Sequence, residues 1–137
     1  MAGEEQLTCM LCSGNSLKYT KHGYINVCLR SISQESAADK TVQFAEDKPG
    51  IIKLTVTDTG QGISPEYLRT KIFTPFSQEN ARSAGTGLGL SIVRSIVNML
   101  SGEIDIKSIV NVGTMVTITL RKSRSILSRN SILTRRA

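Results

Sequence analysis

Apolar positions along the chain change period several times, and those changes divide it into elements. Leu7, Met10, Leu11 and Leu17 recur at helical spacing, which predicts a helix from Glu5 to Thr20. Gly23 breaks the pattern, and Tyr24–Arg30 then alternates, with Ile25, Val27 and Leu29 on one face of a half-buried strand. Ser33–Gly50 is polar, ends in Lys48-Pro49-Gly50 and reads as a loop. Ile52, Leu54 and Val56 alternate again up to Asp58, a second strand. Ser64-Pro65-Glu66 has the form of an N-cap followed by proline at the first helical position, opening a short helix to about Ile72.

Pro75–Thr86 is polar, rich in small residues and without period, as a mobile loop should be. From Gly87 a helix is predicted to about Leu100, with Leu88, Ile92, Val93, Ile96, Val97 and Leu100 on its buried side and Gly102 placed to end it. Glu103–Lys107 and Met115–Leu120 read as two further strands around a turn at Asn111–Thr114. Strands joined by loops and hairpins, with few helical crossovers, predict an α+β fold. We expect a two-layer α/β sandwich, a mixed and mostly antiparallel sheet with helices on one face.

At 137 residues the chain suits one domain. Charge refines this picture. The formal net charge is +6, but Arg121–Ala137 carries six Arg or Lys and no acid. Of 17 basic residues that leaves 11, against all 11 acids, so the rest of the chain is neutral. We therefore expect a domain over 1–120 and a basic, disordered tail over 121–137 of unknown partner. Nucleic-acid binding does not follow from such a distribution. No apolar run approaches the ~20 residues of a membrane helix, and the polar N-terminus is no signal peptide, so a cytoplasmic location is expected. Cys9, Cys12 and Cys28 are an odd set, best read as reduced thiols. Cys9-x-x-Cys12 has metal-like spacing but no evident partner ligands.

Three local patterns carry chemistry. In Asp58-Thr-Gly60-Gln-Gly62, Asp58 shares the parity of the inward strand residues, so its carboxylate aims at the core side. There it needs hydrogen-bond donors, which an adenine amino group would supply, and Gly60 and Gly62 would let a flat ring approach the backbone. A strand-end turn with a half-exposed Asp is the competing reading. Gly85-Thr86-Gly87-Leu88-Gly89-Leu90-Ser91 opens a helix, where free N–H groups and the dipole favour phosphate; a flexible linker is the alternative. It lacks the Lys of a Walker A loop and has Leu90 where a dinucleotide fingerprint has glycine. In Asn15-Ser-Leu-Lys18-Tyr19, a helix sets Asn15 beside Lys18 and Tyr19. The Asn15 amide oxygen suits Mg²⁺ and Lys18 suits a phosphate, although Asn and Lys on a helix are also ordinary solvated residues.

Taken together these patterns resemble the GHKL ATPase superfamily, in its histidine-kinase branch. Asn15–Thr20 resembles the kinase N box, and Asp58-x-Gly60-x-Gly62-Ile63 resembles the first glycine box. Ile72-Phe73-Thr-Pro75-Phe76-Ser-Gln78 resembles the F box, and Gly85-Thr-Gly87-Leu-Gly89-Leu-Ser-Ile92 resembles the second glycine box. The wording Pro75–Asn80 is most similar to eukaryotic and fungal hybrid sensor kinases. The resemblance, over about residues 5–120, implies ATP and Mg²⁺ as cofactors, with Asn15 as the catalytic Mg²⁺ ligand and Asp58 reading the adenine amino group. It also implies Gly60, Gly62 and Ile63 against the purine, Lys18 and Tyr19 on phosphate and ring, and Phe76 in the F box. Gly85, Thr86, Gly87, Leu88 and Gly89 would wrap the phosphates, Thr114 would lie near the base, and Ser64–Thr86 would form a lid.

There are departures. Leu11 stands where the family usually has a second Asn, the strand before the first helix is missing as in an N-terminal truncation, and Ile109–Gly113 lacks the usual acid and first glycine. His22 is no phosphoacceptor, and neither an acceptor helix nor a receiver domain is found. The expected function is the ATP·Mg²⁺-binding domain of a sensor histidine kinase in a two-component phosphorelay. Its partners would be an acceptor/dimerisation domain and a receiver domain on other chains. A non-catalytic nucleotide-binding fragment of a degenerate hybrid kinase, or a fragment that does not fold, are the alternatives.

Overall fold

A computed structural model describes residues 12–33, 50–80, 82 and 85–122. The expectations about Leu7–Leu11, Cys9, the strand before the first helix, the loop over 34–49 and the basic tail past Lys122 lie outside those residues, while Arg121 and Lys122 end a strand. Helix α1 covers 12–19, and strands β1 (Ile25–Ser33) and β2 (Gly50–Asp58) follow. Then come α2 (Pro65–Thr70), α3 (Gly89–Met99), β3 (Glu103–Ile109) and β4 (Gly113–Lys122). The strands make one sheet in the order β1-β2-β4-β3, antiparallel at every junction. This is the α+β architecture that the alternation and hairpin connections predict.

Register explains the two layers. Ile52, Leu54, Val56 and Asp58 of β2 pair with Leu120, Ile118, Val116 and Thr114 of β4. The last three of these pair with Ile104, Ile106 and Ser108 of β3. Because strand side chains alternate between faces, these residues share the inner face. Val56, Val116 and Ile118 are buried there against Cys12 of α1 and Val93 and Val97 of α3. The outer face carries Thr55, Thr57, Thr117 and Thr119 in neighbouring register, a β-branched polar surface suited to one solvated side. At the β1 edge the expected half-burial fades. Ile25 packs on the core, but Val27 and Leu29, on the same inner face, are 45% and 69% exposed. α2 and α3 also approach β3, at the other edge of the sheet.

The N-terminus of α2 and the C-terminus of α3 follow capping chemistry. Ser64 caps α2, its hydroxyl accepting from Tyr67 N, with Pro65 at the first position. Glu79 adds a distant half of a capping box, accepting from Ser64 N at 3.1 Å. The C-terminus of α3 corrects one expectation. Ser101, at φ 53°, takes the left-handed position that ends the helix. Ser101 N bonds Asn98 O and Gly102 N bonds Val97 O, a Schellman pair. Gly102 is needed for a different reason: a Cβ there would lie 2.7 Å from Thr119 O and 2.5 Å from Leu120 Cδ2. Of the six residues expected on the buried side of α3, Val93, Ile96 and Val97 are buried and Ile92 is 39% exposed.

Candidate functional site

A cavity of about 380 Å³ opens between the inner sheet face, α1 and the segment leading into α3. Asn15, Lys18, Tyr19, Asp58, Gly62, Ile63, Gly85, Thr86, Gly87, Leu88, Gly89 and Thr114 all line it. Two residues of the expected set do not. Gly60 and Phe76 are not among its lining residues, and Phe76 is 76% exposed at φ 59°.

The sheet side of the cavity is built on Asp58, which the β2 alternation carries inward at the strand's end. Asp58 is only 7% exposed, and both carboxylate oxygens are hydrogen-bonded. Ser16 Oγ donates to Oδ2 at 3.0 Å, and Gly60 N donates to Oδ1 at 2.9 Å. Each oxygen therefore keeps acceptor capacity for a ligand. Ser16, itself 4% exposed, sits one turn after the buried Cys12, so its hydroxyl occupies the inward stripe of α1. It was missed in the sequence. The available signal was a small hydroxyl residue at helical spacing from inward positions.

The first glycine box owes its composition to crowding by protein. A Cβ on Gly60 would lie 2.5 Å from Tyr19 O, and Gly62, at φ 71°, rests against the Ile109 carbonyl. The chain's own backbone fills the space at Gly60, and Gly62 is the glycine of this box that also lines the cavity. The hairpin tip closes on this loop. Asn111 N donates to Gln61 O, and Ile63 N donates to Ser108 Oγ at 2.8 Å. Ser108 also went unrecognised, although a hydroxyl at the inward parity of Ile104 and Ile106 was the visible clue.

At the loop side, the glycines of the second box meet α1 and the 76–77 backbone. Gly85 (φ 114°) is beside Lys18 Nζ, Gly87 (φ 72°) beside the Phe76–Ser77 backbone, and Gly89 beside the Asn15 carboxamide. The N-terminus of α3 has no side-chain cap and no acid in its first turn, so its first N–H groups and dipole remain available to an anion. Lys18, over the Tyr19 ring at 4.8 Å, is the single cation among the described lining residues. Gln78 Nε2 donates to Gly85 O at 2.7 Å and Tyr67 OH to Ser77 Oγ at 3.0 Å, fastening the 65–80 segment across the cavity mouth.

The arrangement offers acceptors at the sheet side and donors with positive potential at the loop side. A family model described as histidine kinase-, DNA gyrase B-, and HSP90-like ATPase matches residues 10–124. The autoinducer 2 sensor kinase/phosphatase LuxQ of Vibrio vulnificus is 39% identical over 98 residues, covering 69% of this chain and 10% of its own length. Hybrid signal transduction histidine kinase B of Dictyostelium discoideum is 34% identical over 110 residues, 77% of this chain and 5% of its own length. The chain therefore spans a small fraction of these relatives. The solved mycobacterial sensor histidine kinase MprB superposes with a TM-score of 0.65 at 23% identity, over 90% of this chain and 74% of that one, a likeness of fold. With a family match through residues 10–124 and kinases among its relatives, the chain belongs to the histidine kinase-, DNA gyrase B-, and HSP90-like ATPase family, in its sensor-histidine-kinase branch.

Proposed function

We propose that this domain binds ATP with Mg²⁺ and positions its γ-phosphoryl group for transfer to a histidine on a separate acceptor domain, within a phosphorelay that ends on a receiver domain. One observation carries the reading: a buried, doubly hydrogen-bonded carboxylate and an uncapped helix N-terminus beside a lysine line one cavity.

Asp58 accepts a hydrogen bond from the base amino group, and Thr114, opposite it in the sheet register, adds a polar contact. Gly62 and Ile63 border the base. Lys18 neutralises phosphate charge, and Gly85–Gly89 offers backbone N–H groups to it. The Asn15 amide oxygen fits Mg²⁺, a hard cation that keeps several waters and is held largely by substrate phosphates, so one protein ligand suffices. When bound, Mg²⁺ would offset charge on the phosphate oxygens. The protein's own share is positioning and exclusion of water.

The test is nucleotide binding, measured with and without Mg²⁺, in the wild type and in Asp58→Asn. The amide replaces one of the two acceptor oxygens with an NH₂ donor. ATP affinity is expected to fall at least tenfold, on the order of the cost of an unmatched buried polar group. Equal affinity in the two proteins would refute the adenine role of Asp58. Incubation with labelled ATP and an isolated acceptor-helix domain then tests transfer, with label on that partner's histidine as the expected result.

A further inference from the structure

Ser108 does not line the cavity, yet it holds three hydrogen-bonding groups that do or that frame it. Ile63 N donates to its Oγ at 2.8 Å. The Gly113 carbonyl lies 2.9 Å away and Thr114 Oγ1 lies 2.8 Å away. A serine hydroxyl has one proton and two lone pairs. The Gly113 carbonyl can only accept, so it takes the Ser108 proton. The Ile63 amide can only donate, so it takes one lone pair. Thr114 is left with the other lone pair, and its hydroxyl must donate to Ser108. The reverse assignment would set two bare oxygens facing each other at 2.9 Å.

We propose that Ser108 is a positioning residue that fixes the hydrogen-bond polarity of Thr114 and so contributes to base selectivity. With its proton committed to Ser108, Thr114 presents only lone pairs to the cavity. Its cross-strand neighbour Asp58 also presents only lone pairs. The sheet side is thereby an acceptor wall, which suits a 6-aminopurine and opposes a 6-oxopurine. The same hydroxyl anchors Ile63, tying the loop that borders the base to the β3–β4 hairpin. This inference rests on the nucleotide reading above.

The experiment compares dissociation constants for ATP and ITP, both with Mg²⁺, in the wild type, Ser108→Ala, Ser108→Thr and Thr114→Val. Amide exchange at Ile63 is followed without nucleotide. In Ser108→Ala the Thr114 hydroxyl is free to rotate and donate to an oxo group. The preference for ATP over ITP is then expected to shrink about threefold to tenfold, the weight of one hydrogen bond. Thr114→Val should shrink it comparably while leaving Ile63 exchange unchanged, and Ser108→Thr should retain the wild-type ratio. Ile63 exchange should accelerate in Ser108→Ala. Equal losses for both nucleotides in Ser108→Ala, or unaltered Ile63 protection there, would overturn the proposal. A wild type that binds neither nucleotide would instead defeat the nucleotide reading, and the Ile63 exchange result would still judge the hydrogen-bond assignment.

Discussion

At the scale of single residues, the buried hydroxyls near Asp58 lead to opposite expectations. Ser16 donates to the carboxylate, and removing it leaves Oδ2 without a partner among the described residues. Ser16→Ala is therefore expected to destabilise the fold by about 1–3 kcal/mol, the usual cost of orphaning a buried acceptor, as read from denaturant unfolding. Thr20 Oγ1 is also buried but has no hydrogen-bond partner among the described residues. Thr20→Val replaces an unsatisfied hydroxyl with a methyl of the same shape, so stability should hold or rise by up to about 1 kcal/mol. A loss above that level in Thr20→Val would mean that the hydroxyl has a bonding role. Both residues are polar positions on the Asn15–Thr20 segment, and only their surroundings separate them.

At the scale of elements, the second glycine box is a junction more than a loop. Gly87 stands at φ 72°, and a Cβ there would come within 2.8 Å of Ser77 O and 2.9 Å of Phe76 C. Gly87→Ala thus combines left-handed backbone strain with displacement of the 65–80 segment, a cost of roughly 1–3 kcal/mol. That cost falls on the cavity mouth while the core packing of α3 is untouched. ATP affinity should drop roughly tenfold by calorimetric titration, with little change in far-UV circular dichroism. Elements of this kind show how far the sequence could be read. Alternation in β2 revealed both the strand and the inward aim of Asp58, because parity is local. The partner of each glycine was not readable, since Gly87 meets Ser77 and Phe76, 10 and 11 positions away, while Gly85 and Gly89 meet Lys18 and Asn15 of α1, 67 and 74 positions away. The same holds at Gly60: the backbone that fills the space of its missing side chain belongs to Tyr19, which only the tertiary fold brings near. The end of α3 was placed correctly by Gly102, but Ser101 makes the left-handed turn, and no local signal separates two adjacent candidates.

At the scale of the whole molecule, the cavity and the core are built from the same pieces. Ser16 and Cys12 share one stripe of α1, Asp58 continues the inner row of Val56, and α3 runs from the glycine box to Val93 and Val97 against the sheet. A ligand spanning the sheet side and the α3 N-terminus would therefore brace α1, β2, β4 and α3 together. Ligand that binds only the native state stabilises it by mass action, about 2.7 kcal/mol at a concentration one hundred times Kd. For a domain of this size that corresponds to a rise in Tm on the order of 10 °C. ATP with Mg²⁺ is expected to give such a shift in the wild type. Asp58→Asn at the same nucleotide concentration should give only a few degrees, because a tenfold weaker Kd removes about 1.4 kcal/mol of the linkage. The comparison separates site from fold: a melt that is cooperative yet indifferent to nucleotide would leave the sandwich standing and take away the role assigned to its cavity.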